Sequence, residues 1–158
     1  MKNVFSLSTE ATITAGALAL SAGRYLEALG HFEQACDRSK ENGPALKGLA
    51  ICLQHLGRND EAIGGYQRAL EQYPHDPELW ANLGILLHAC GRLSEACQCL
   101  QKAAAISPDD PEIQYSLGNL YVDAKETGYG VQAFKRALGL APEHYDALIN
   151  LGVQLKSS

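Results

Sequence analysis

The sequence predicts an all-α chain built of stacked helix pairs. Three observations carry that prediction: a fixed period of 34 residues, apolar residues three and four apart within each period, and glycine or proline where helices must stop. Trp80, Leu83, Gly84, Leu87, Ala96, Leu100, Ala103 and Pro108 are followed 34 places later by Gln114, Leu117, Gly118, Tyr121, Gly130, Phe134, Ala137 and Pro142. One period earlier the same places hold Leu46, Leu49, Ala50, Leu53, Ala62, Tyr66, Ala69 and Pro74. Thr12, Ala15, Gly16, Ala19, Ala28, Phe32 and Ala35 precede those, and Leu148, Leu151, Gly152 and Leu155 continue the series at the other end. Self-similarity at a fixed period over nearly a whole chain means repeated units that bury their apolar faces against one another.

The elements follow in order. A first helix at 9–22 keeps the spacing but lacks bulky residues, so the N-terminal unit reads as an atypical cap behind a short extension at 1–8. Helices are then expected at 25–38, 43–56, 59–72, 77–90, 93–106, 111–124, 127–140 and 145–156. Within pairs, the turns Ala22-Gly23-Arg24, Leu56-Gly57-Arg58 and Cys90-Gly91-Arg92 place glycine where a helix ends in the left-handed conformation. Glu27, Glu61 and Glu95 then sit at the favourable positive end of the next helix. Between pairs, Asp76-Pro77-Glu78 and Asp110-Pro111-Glu112 supply an N-cap, a first-turn proline and a first-turn carboxylate. The stretch Ser39 to Pro44 lacks the closing proline that Pro74, Pro108 and Pro142 provide elsewhere. The fourth turn departs further: Lys125 stands in the glycine place and Gly130 in the alanine place, so a weaker helix start is expected near 127–130. Trp80, Phe32, Phe134, Tyr25, Tyr66 and Tyr121 fall on interior places and are expected to be packing residues.

The order W-x2-L-G-x2-Y…A-x3-F…P is the pattern of the tetratricopeptide repeat, which this chain resembles from about Thr9 to Lys156. The resemblance implies a right-handed α-solenoid of about four helix-turn-helix units at 9–42, 43–76, 77–110 and 111–144, with a partial repeat at 145–158. About three repeats suffice for stability. The last helix keeps an apolar pattern with little polar outer face, so a fragment of a longer protein is the expected reading and self-association through terminal helices the alternative.

Composition narrows the function. Net charge is −5 and the 13 Lys and Arg are dispersed, which argues against nucleic acid. Five cysteines, with Cys97 and Cys99 two apart on one helix, read as reduced apolar side chains in a cytoplasmic setting rather than as a disulfide or metal clip. Lys2 and the mildly apolar Ala11–Ala22 imitate a weak leader, but Glu10, Thr12 and Thr14 dilute it and cleavage would remove a helix that the period requires. No run is long enough to cross a membrane. No phosphate loop, H-E-x-x-H or G-x-S-x-G is found, so the chain reads as non-catalytic, without cofactor or metal.

The resemblance implies a concave groove lined by first helices. Its places here give Lys47, Ile51, Gln54 and His55, then Asn82, Ile85 and His88, then Tyr115, Ser116, Asn119 and Asp123, and finally Asn150. Amides both donate and accept, which suits the backbone of an extended peptide. Asn82, Ser116 and Asn150 share one place, similar to the asparagine ladder of O-linked N-acetylglucosamine transferases, although Gly48 and Thr14 interrupt it. Chaperone-tail binders of this family clamp a carboxylate; Lys47 and Asn82 match two of their places, but Glu112 stands where a cation is needed. Zinc requires about three ligands, and Asp123, one repeat away, is the only candidate beyond His55 and His88, so no metal is expected. The expected function is a protein interaction scaffold holding a peptide or partner protein in that groove. The alternatives are the substrate-recruiting region of a larger glycosyltransferase and a self-assembling structural protein.

Overall fold

A computed structural model describes residues 8–39 and 42–156. Most of the predicted extension, Lys40 and Glu41 of the loop, and Ser157 and Ser158 lie outside the described residues. Among those described, nine helices and no strand are found: α1 (Thr9–Ser21), α2 (Tyr25–Arg38), α3 (Gly43–His55), α4 (Asn59–Gln72), α5 (Pro77–Ala89), α6 (Leu93–Ile106), α7 (Pro111–Asp123), α8 (Thr127–Leu140) and α9 (Tyr145–Lys156). The first helices of the four pairs each end one residue before the predicted boundary. Ala22, Leu56, Cys90 and Ala124 there leave the helical ψ and become caps.

The ends obey the predicted chemistry. Gly23, Gly57 and Gly91 take φ of 71°, 72° and 76°. Asp76 Oδ1 accepts from the backbone N–H groups of Glu78 and Leu79 at 2.9 and 3.2 Å, and Asp110 does the same for Glu112 and Ile113. Glu27, Glu61 and Glu95 have a second role that the sequence reading missed. Each meets the arginine three residues before it, and Arg58–Glu61 and Arg92–Glu95 are paired through two contacts of 2.7 Å.

The chain forms two compact units, divided between Pro74 and His75. In the first, α1 packs on α2, α3 on α4, and α2 and α1 on α3. Phe32 and Tyr66 are buried there, as are Ala28, Leu46, Ala50 and Ala62. Burying each large apolar side chain contributes about 1.5–3 kcal/mol. The weak first helix is held partly by polar contacts: buried Thr12 donates to the Ser8 carbonyl at 3.0 Å and accepts from Arg38 Nη1 at 3.2 Å. In the second unit, α5 packs on α6 and α7, α7 on α6 and α8, and α8 on α9. Leu79, Leu83, Leu100, Leu120 and Phe134 are among its buried members.

Three aromatic expectations need correction. Phe32, Tyr66 and Phe134 are buried, but Tyr25, Trp80 and Tyr121 are only half-buried. Lys102 Nζ lies 4.2 Å from the Trp80 ring, so part of that indole faces a cation rather than the core.

Candidate functional site

Polar side chains on the first helices of the second unit are tied to one another. His88 Nε2 lies 2.7 Å from Asp123 Oδ2, which joins α5 to α7. Asn150 Nδ2 donates to Asn119 Oδ1 at 2.8 Å and to the Tyr115 hydroxyl at 3.4 Å, which joins α9 to α7. A hollow of about 390 Å³ lies among His88, Asn119, Val122, Asp123, Phe134, Asn150 and Gln154. Five of the twelve expected site residues are therefore together: His88, Tyr115, Asn119, Asp123 and Asn150. Ile85 is exposed nearby in sequence on α5, and Asn82 and Ser116 are half-buried on α5 and α7.

Asn150 shares its place in the period with Ser116, and its hydrogen bond goes to Asn119, three residues further along α7. Gln154 and Phe134 were missed as lining residues. Gln154 follows Asn150 by four, the spacing that keeps two side chains on one helix face, and that was the available signal.

His144 was also missed. Its Nδ1 accepts from the Ala147 N–H at 3.2 Å, so the ring serves as the cap of α9 and carries its proton on Nε2. The ring packs on Tyr115 with centroids 4.6 Å apart. Nε2 lies 3.3 Å from Glu112 Oε1, close enough for attraction but off the line of a hydrogen bond.

The four site residues of the first unit behave differently. Lys47 and Ile51 are half-buried on α3. Gln54 Oε1 accepts from the Tyr66 hydroxyl at 2.9 Å, so its carbonyl is used inside the repeat. His55 stacks on Tyr25 with centroids 4.3 Å apart and planes 5° from parallel. That stack engages one face of the imidazole that the sequence reading assigned to the groove. Among the described residues no three His, Cys, Asp or Glu side chains gather closely enough for a metal ion. Likewise no described helix is long and apolar enough to cross a membrane.

Known proteins agree with this architecture. Tetratricopeptide-repeat profiles match residues 13–77, 66–98 and 86–124. No curated protein sequence matches the chain. Among solved structures, PilF of Pseudomonas aeruginosa superposes with a TM-score of 0.88 at 21% identity, covering 94% of this chain and 68% of that one. MamA of Desulfovibrio magneticus RS-1 superposes at 0.84 with 23% identity, covering 92% and 82%. YrrB, described as a repeat protein of this type with an unusual peptide-binding site, superposes at 0.78 with 26% identity, covering 89% and 73%.

Proposed function

Because this chain belongs to the tetratricopeptide repeat family, we propose that it is a non-catalytic scaffold whose first helices hold an extended peptide or partner protein. The observation that carries this reading is the polar hollow bordered by the His88–Asp123 pair and the Asn119–Asn150 bond. A hollow of about 390 Å³ takes one or two side chains rather than a whole ligand, so the partner runs past it and is gripped at points. Asn119 uses its carbonyl on Asn150, and an amide has two further N–H donors for the carbonyls of an extended peptide. The likeness to YrrB, a repeat protein with a peptide-binding site, supports the same reading.

The test is selection of binders from a random peptide library, then titration calorimetry on variants. Asn119→Ala and Asn82→Ala are expected to weaken binding about fivefold to tenfold each, the loss of roughly 1 kcal/mol per hydrogen bond, with helicity unchanged. Unaltered affinity in both variants, or loss of folding, removes these residues from the binding surface.

A further inference from the structure

Three of the turns within repeats share one device, and the fourth inverts it. After Gly23, Gly57 and Gly91 comes an arginine that pairs with the glutamate three residues on. The fourth turn keeps that backbone: Lys125 takes φ 66°, and Glu126 takes φ −99° and ψ 55° beside −84° and 60° for Arg58. Its chemistry is different. Glu126 stands in the arginine place and Tyr129 in the glutamate place, so a pair of opposite charges becomes a carboxylate and a phenol ring. A non-glycine residue in the left-handed region is disfavoured, and a broken local rule without evident gain in stability marks functional ground.

The surroundings are concave. Tyr129 is 62% exposed and leans on Tyr121, with centroids 5.6 Å apart and planes tilted by 39°. Beside them a cleft of about 360 Å³ lies between α6 and α7. Leu93, Leu120 and Ala124 give it apolar lining, Ser94, Cys97, Gln98 and Tyr121 a polar uncharged one, and Glu126 is its charged member. Lys125 and Tyr129 border a neighbouring hollow that shares Glu126, but they do not line this cleft.

We propose that this cleft is a second docking site, separate from the α5–α7–α9 surface, and that it takes an arginine side chain of a partner protein. Charge complementarity selects the occupant. The Glu126 carboxylate and the negative ring faces repel an acidic group, while an aliphatic side chain fills the Leu93–Leu120 lining and leaves the carboxylate unused. Arginine satisfies all three features: its stem covers the apolar lining, its plane stacks on Tyr121, and its fork of donors meets Glu126. Lysine offers only a point charge to the same carboxylate.

The experiment is an amide NMR titration of the full chain with N-acetylarginine amide and, separately, its neutral isostere N-acetylcitrulline amide. Saturable shifts at Cys97, Tyr121, Glu126 and Tyr129 are expected for arginine, with citrulline at least about tenfold weaker because the charge-assisted contact is missing. The double variant Glu126→Arg/Tyr129→Glu writes the pair of the other three turns into the fourth; it is expected to keep its helicity and lose the response. Equal responses to both compounds, shifts confined to other regions, or a full response in the double variant overturn the proposal. Should the double variant not fold, Glu126→Gln decides: undiminished arginine affinity overturns the proposal, and a tenfold loss supports it.

Discussion

At the scale of single residues, the glycines separate into those that the packing requires and those that it merely tolerates. A Cβ on Gly118 would lie 2.4 Å from Cε1 of Phe134, a ring that is itself buried. Gly118→Ala is expected to destabilise the chain by about 1–3 kcal/mol, the usual cost of overpacking. A Cβ on Gly64 meets nothing within 4 Å, so Gly64→Ala is expected to stabilise by about 0.5–1 kcal/mol through the helix preference of alanine. Urea unfolding of both variants checks this; shifts of the same sign would sink the distinction. The period made Gly118 legible, because Gly16 and Gly84 share its place. It misled at Gly130, which looked like a cost where alanine is the rule. A Cβ there would lie 2.8 Å from Cγ2 of Val122 and 3.1 Å from the Gly118 carbonyl, so glycine fits. Val122 has His88 and Gln54 as counterparts, and no periodic argument reveals a neighbour that only one repeat possesses.

At the scale of elements, α8 is expected to have the weakest entry of the second helices. α2, α4 and α6 also begin without a side-chain cap, but the arginine–glutamate pair braces their first turn. α8 has no such pair at its equivalent places, starts after Lys125 at positive φ, and carries Gly128 in its first turn. The Gly130 and Ala96 amides make equivalent bonds, to the Glu126 and Arg92 carbonyls at 3.1 and 3.0 Å. Gly130 should nevertheless exchange its hydrogen about tenfold faster, and Lys125→Gly should recover part of that through about 1 kcal/mol of relieved strain. Equal protection at the two amides would refute the account. Helix boundaries were legible to within one residue because Gly, Pro and Asp punctuate the repeats. The start of α9 was legible by position but not by chemistry: His144 occupies the place of Asp76 and Asp110, and an imidazole capping a helix is announced by no composition rule.

At the scale of the molecule, the helical repeat fold was legible, since one period fixes where the helices go. The candidate site was half legible. Periodicity names equivalent places, but which side chains join depends on neighbours that differ between repeats, as Asn119 and Asn150 do from Gln54 and His55. Global stability also carries a titration signature. Burial pushes the Cys52 thiol up to about 11 from an ordinary value of 9.0. The folded chain then keeps a proton that the unfolded chain has lost, so this contribution is whole below pH 9 and fades as pH rises toward 11. Between those limits the chain should lose on the order of 2 kcal/mol more than its Cys52→Ala variant does; parallel slopes in alkaline urea melts would exclude it. The caps at Asp76 and Asp110 have one more consequence, which concerns covalent bonds rather than folding. Aspartyl–prolyl bonds are the peptide links most readily hydrolysed in warm acid, and the chain has two, Asp76–Pro77 and Asp110–Pro111. Both fall on repeat borders. The residues that begin two helices so well thus also mark scission points, and dilute acid would release the third repeat, 77–110, as a single intact piece.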